Sequence, residues 1–165
     1  MVDINRSLTL LYPPFKLLID LALEDAHAKG LMGYVFEGWR AIERQSFLYA
    51  QGRTTPGAKV TWARPGESWH QYGLAVDIVF DREPLTAGMQ WTWEGGYADK
   101  NGDNYAKIAL ILKAYGLEWL GDKNIERAHF QKTWGLTIQE AKQIADSKGV
   151  LGLWAQLDKL SGGGI

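Results

Sequence analysis

Apolar side chains between Pro14 and Lys29 fall at Phe15, Leu18, Ile19, Ala22 and Ala26, the three-and-four spacing that gathers one stripe on a helix face. Pro14 suits the first turn, where its missing amide is not needed, and Gly30 suits the C-terminal stop. Tyr34 to Glu37 reads as a short strand, and Gly38-Trp39-Arg40 leads from it into a second helix, Ile42 to Gln51, closed by Gly52. From Arg53 to Ser68 the breakers Pro56, Gly57, Pro65 and Gly66 exclude a regular element and predict a long loop. Loops of that length in compact domains are often functional.

Leu74, Val76 and Ile78 then alternate with Ala75, Asp77 and Val79, a buried strand with one acid facing away from its apolar neighbours. A turn-rich, tryptophan-rich insertion follows from Asp81 to Gly102. Tyr105 to Tyr115 has helical periodicity with Gly116 as its stop, and Leu117-Glu118-Trp119 reads as another short strand. Thr137-Ile138-Gln139-Glu140 is a capping-box pattern opening a helix expected to run to about Lys148. Helices mixed with short strands predict an α+β fold, a small mixed or antiparallel sheet with packed helices. The expected organisation is one domain over residues 1–160 and a flexible glycine-rich tail at 161–165.

Composition narrows the chemistry. The 165 residues include no cysteine, which excludes disulfides, thiolate metal sites and a cysteine nucleophile. Eighteen basic against 19 acidic residues give a net charge of −1, so the footprint of a nucleic-acid-binding protein is missing. The apolar stretch Leu8 to Leu23 is broken by Pro13, Pro14, Lys16 and Asp20, so neither a membrane span nor a signal peptide is expected. Eight Trp, seven Tyr and five Phe exceed the needs of a small core, and some are expected to line a groove.

Three histidines are present. His27 lies near the end of the first helix, where the helix dipole favours it, and is read as structural. His70 leaves the long loop, and Asp77 follows on the strand, with Gly73 between them free to bend the chain. His129 has Glu126 three residues upstream. Two imidazoles and a carboxylate form a catalytic zinc ligand set, with a nearby general base still required. Residues 126 and 129 would face opposite ways on a regular strand, so irregular backbone is expected if both serve one site. Asp77 needs a cation, a metal or several donors, because an unpaired buried carboxylate is costly. On the residues alone, an arginine salt bridge and a zinc site both remain open.

The pattern Ser68-x-His70-x-x-Gly73-x-Ala75-x-Asp77, followed by Glu126-x-x-His129, resembles the two signature motifs of the VanY-like family of zinc D-Ala-D-Ala carboxypeptidases and L-alanyl-D-glutamate endopeptidases. Upstream, Trp39-Arg40-Ala41, Gln45, the run Leu48 to Thr54 and Pro56-Gly57-Ala58-x-Val60-Thr61 are similar to the phage endolysin endopeptidases of that family. Similarity is continuous over roughly Gly38 to Phe80.

The resemblance implies a hedgehog-like peptidase fold binding one zinc ion through His70, Asp77 and His129, with Glu126 as general base. Arg40 matches the arginine aimed at the substrate carbonyl, and Gln45 and Ser68 match positions near the substrate. The implied substrate is the peptidoglycan stem peptide, cut at the L-Ala–D-Glu bond. The alternatives are a D,D-carboxypeptidase acting on terminal D-Ala-D-Ala and a non-catalytic, zinc-containing wall-binding module. Ala128, where the carboxypeptidase branches often have tryptophan, favours the endopeptidase side. Gln131 stands where endolysins often have an acid, which puts a supporting contact in question. An endolysin of this kind is expected to be a monomer made in the cytoplasm, reaching the wall through a phage pore protein.

Overall fold

The computed structural model describes residues 3–81, 91–93 and 104–162. Most of the tryptophan-rich insertion and the tail 163–165 lie outside the described residues. Helix α1, Pro13–Ala28, buries Phe15, Ile19, Ala22 and Ala26, which are four of the five stripe positions. Strand β1, Gly33–Glu37, and helix α2, Ile42–Ala50, follow, and the long loop leads to a short helical turn, Trp69–Tyr72. Then come β2, Ala75–Asp81, and β3, Trp91–Thr92. The order finishes with α3, Asn104–Ala114, β4, Glu118–Trp119, β5, His129–Gln131, and α4, Ile138–Leu160.

The sheet runs β1-β2-β5-β4, antiparallel at every pairing, with β3 also paired to β2. Strand β2 is central and alternates as expected. Leu74, Val76, Ile78 and Phe80 enter the core with α1 and α3, and Asp77 points to the opposite face. The register then builds a polar row. A bulge between Val35 and Glu37 sets Glu37 opposite Asp77 on one side, while His129 is opposite Asp77 on the other. One extra residue in β1 re-aims a side chain here, a common use of a bulge beside a site.

Helix α4 differs from expectation. It breaks near the expected end, at Gly149, where φ is 72° and ψ 171°, yet resumes to Leu160. The second segment persists because Leu153 and Leu157, four residues apart, are buried in the core. That segment buttresses the His70 turn: Trp154 Nε1 donates to the Tyr72 carbonyl at 2.8 Å, and Tyr12 Oη donates to Asp158 Oδ1 at 2.5 Å. Gly73 ends the turn at φ 71°, and a Cβ there would lie 2.8 Å from the Leu10 carbonyl oxygen. Only glycine fits both the left-handed backbone and that close approach.

Candidate metal centre

His70 on its turn, Asp77 on β2 and His129 at the start of β5 bring three atoms together. His70 Nε2 lies 3.2 Å from Asp77 Oδ1, His129 Nδ1 lies 3.3 Å from the same oxygen, and the two nitrogens are 3.2 Å apart. All three residues are buried. The outer ring nitrogens fix what the inner ones offer. His70 Nδ1 is 2.7 Å from the Gly38 carbonyl, which can only accept, so Nδ1 carries a proton. His129 Nε2 is 2.9 Å from Gln131 Oε1, and the Gln131 amide nitrogen donates to Glu118 Oε2 at 3.2 Å, which sets the amide orientation. Each inner nitrogen is thereby free to present a lone pair.

Three acceptors facing one another repel unless a cation lies between them. Tetrahedral zinc with bonds of about 2.0–2.1 Å separates its ligand atoms by about 3.3–3.4 Å, close to the observed edges. Among the described residues, the two buried side-chain polar atoms without a hydrogen-bond partner are Asp77 Oδ1 and Arg40 Nε. Both belong to this centre. The donor set, its spacing and the orphaned carboxylate oxygen all fit a divalent metal.

The second oxygen of Asp77 is occupied. Arg40 Nη2 donates to Asp77 Oδ2 and to Glu37 Oε2, each at 2.8 Å, and Arg40 Nη1 donates to Gln45 Oε1 at 3.1 Å. Arg44 Nε holds the other Glu37 oxygen at 2.5 Å. The arginine salt bridge and the metal set are therefore not exclusive: one carboxylate serves Arg40 with one oxygen and the cluster with the other. Arg40 also departs from the expected picture of a side chain aimed outward. It is 8% exposed and its Nη atoms are committed inside the protein, leaving the Nε–H without an acceptor.

The electrostatics follow the same geometry. Burial opposes the Asp77 charge, but His70, His129 and Arg40 outweigh it and hold the carboxyl well below the usual range. Burial prevails at His70 and lowers its pKa, with Arg40 and His129 adding to the effect against Asp77. At His129 burial is outweighed by the adjoining Asp77 carboxylate, with Glu126 and Gln131 contributing, and the pKa rises.

A cleft of about 340 Å³ opens over the cluster, and Arg40, Ser68, His70, Glu126 and His129 line it. Glu126 precedes β5 on irregular backbone, as its spacing from His129 required. Its side chain reaches solvent but sits in the concave mouth. Desolvation there, then the Asp77 charge, lift its pKa above the ordinary value, opposed by His129 and Arg40. Ser68 stands at the cleft wall. Gln45 does not reach the cleft, contrary to a substrate-contacting role: it is 0% exposed, and its amide nitrogen donates to the Ala63 carbonyl at 2.8 Å.

Sequence reasoning missed Glu37 and Glu118 as partners of the centre. Glu37 reads as the end of a strand, and only the bulge shows why it faces Asp77. Gln131, an apparent departure, does hold His129 and passes the contact on to Glu118.

An antiparallel α+β domain with a buried two-histidine, one-carboxylate cluster under an open cleft has the architecture of the zinc peptidases. The chain belongs to the VanY D-alanyl-D-alanine carboxypeptidase family, whose model matches residues 16–126. It is 36% identical over 112 residues to the peptidoglycan L-alanyl-D-glutamate endopeptidase CwlK of Bacillus subtilis strain 168, a match covering 68% of this chain and 66% of that protein. The chain thus spans slightly under two thirds of that relative. The crystal structure of the Serratia marcescens L-Ala D-Glu endopeptidase ChiX superposes with a TM-score of 0.53 at 27% identity, covering 81% of this chain and 91% of that one. The LdcB LD-carboxypeptidase shares the fold, with a TM-score of 0.52 at 21% identity over 87% of this chain and 67% of that one.

Proposed function

We propose that this chain is a zinc-dependent peptidoglycan peptidase that hydrolyses the L-Ala–D-Glu bond of the stem peptide. The observation that carries the reading is the triangle of His70 Nε2, Asp77 Oδ1 and His129 Nδ1, with edges of 3.2–3.3 Å, beneath an open cleft. His70, Asp77 and His129 would hold the zinc ion, which would supply a Lewis acid to acidify water and polarise the scissile carbonyl. Glu126, at the mouth and outside the triangle, accepts the proton of the attacking water and returns it to the leaving amine nitrogen. Arg40 lines the cleft beside the cluster, and its positive charge favours the carbonyl oxygen as negative charge develops there. Its main work is inside: it holds Asp77 Oδ2, so that a single oxygen turns to the cluster.

Two of the relatives, CwlK and ChiX, are named as L-Ala–D-Glu endopeptidases, and that supports this bond over a terminal D-Ala. The endolysin-like block Gly38 to Phe80 supports a role in phage lysis, for a monomer that a phage pore protein would admit to the wall. Purified sacculi digested with and without a chelator, with muropeptides read by mass spectrometry, test the reading. Chelator-sensitive release of stems beginning at D-Glu supports it. Loss of terminal D-Ala alone would indicate a D,D-carboxypeptidase, and no cleavage would leave a wall-binding module.

A further inference from the structure

The long loop, residues 53–68, is built as a rigid wall of the cleft and not as a slack connection. Arg53 donates from Nη1 to the Tyr49 carbonyl at 2.6 Å and from Nη2 to the Thr61 carbonyl at 2.9 Å. The buried Gln45 ties down Ala63 from below. Gly52, at φ 67°, lets the loop return so closely that a Cβ would lie 2.6 Å from the Lys59 amide nitrogen. On this support stands a ladder of rings and cations. The Arg53 guanidinium lies 3.8 Å from the Tyr49 ring centroid and 5.6 Å from that of Trp62, and Lys59 Nζ lies 5.3 Å from the Trp62 centroid.

Trp62 is nonetheless 75% exposed, and across the cleft Ile125 is 61% exposed. Large apolar side chains held open on both sides of a polar floor form a binding groove, with the charged groups setting what it accepts. The loop carries three basic residues, Arg53, Lys59 and Arg64, and the structure separates them. Arg53 is committed to two carbonyls and a ring, and Arg64 does not line the cleft. Arg40, also in the cleft, is paired with Glu37 and Asp77. Lys59 lines the cleft, is exposed, and has no carboxylate within ion-pair distance among the described residues. The cleft's acids are Glu67, which accepts from the Arg64 amide, and Glu126.

We infer that Lys59, steadied against Trp62, is the specificity element of this cleft and recognises a free carboxylate on the bound peptide. This rests on the peptidase reading and adds the substrate feature that the site selects. A lysine-type stem peptide offers two such groups, the α-carboxylate of D-Glu beside the scissile bond and the C-terminal carboxylate.

Three synthetic stem peptides distinguish them: one with both carboxylates free, one amidated at D-Glu and one amidated at the C-terminus. Each is assayed with the zinc-loaded wild type, Lys59→Gln and Lys59→Arg. One amidation is expected to lower wild-type kcat/KM by roughly tenfold or more, the scale of a charge-assisted hydrogen bond. Lys59→Gln lowers kcat/KM on the free peptide by at least that factor more than on the peptide with that amidation. Lys59→Arg keeps the preference, and salt weakens it. Equal cleavage of all three peptides by the wild type, or an unchanged preference in Lys59→Gln, overturns the inference and leaves the peptidase reading standing. Cleavage of none of them removes both.

Discussion

Asp77 and His129 face each other across the antiparallel pair β2 and β5, with Asp77 Oδ1 3.3 Å from His129 Nδ1. The same carboxylate reaches Arg40 through its other oxygen. One side chain thus joins the cluster to the buried charges of Arg40 and Glu37 and to the half-buried Arg44, and substitutions on either side should be felt at the metal.

Asp77→Ala is expected to lose stoichiometric zinc and also stability. It removes one of three donors and leaves Arg40 with a single carboxylate partner. Breaking a buried pair from one side costs about 3–5 kcal/mol, and the retained Glu37 contact places the expected loss at or below about 3 kcal/mol. Elemental analysis and urea unfolding of the zinc-free proteins separate the two effects.

Glu37→Gln and Gln131→Ala touch no metal-facing atom, yet each loosens a residue that orients one. Glu37 fixes Arg40 behind Asp77, and Gln131 fixes the His129 ring. Losses of roughly 10- to 100-fold in zinc affinity are expected, measured by competition with a chromogenic chelator. Unchanged affinity in both would show that the outer contacts are irrelevant to the ligands.

Glu126→Gln should leave zinc stoichiometry intact and lower kcat by about 10²- to 10⁴-fold, the usual contribution of a positioned acid–base group. Retained activity would remove Glu126 from the reaction.

In the zinc-free protein the Glu126 carboxyl is expected to titrate above its ordinary value of 4.5, because desolvation and Asp77 both disfavour the anion. Adding zinc places positive charge beside Asp77, so the Glu126 pKa should move down. Side-chain carboxyl NMR with and without zinc reads the sign of both shifts.

The cluster is assembled only in the folded chain, so added zinc is expected to raise thermal stability. At free zinc 100 times the Kd the gain is about 2.7 kcal/mol, or about 5–10 °C in Tm for a domain of this size. Calorimetry across a zinc series checks the slope.

Much of this was legible from residues. Phe15 to Ala26 gave α1 through its period, the alternation around Asp77 placed the acid on the face away from the core, and the need for irregular backbone before His129 followed from spacing alone. What stayed hidden depends on register. Nothing local in Tyr34 to Glu37 announces a bulge, so Glu37 could not be placed opposite Asp77. Gln45 matched a substrate-side position, but its burial is decided by how the loop 53–68 folds over α2. The second half of α4 escaped because Gly149 reads as an end, while Leu153 and Leu157 find their partners far away in the sequence.

Anomalous diffraction at the zinc edge, from crystals grown with equimolar zinc, tests the central claim most directly. A single strong peak is expected about 2.0–2.2 Å from His70 Nε2, Asp77 Oδ1 and His129 Nδ1, with one coordination position open toward the cleft. No peak at that point, or a peak closed by a fourth protein ligand, would contradict it.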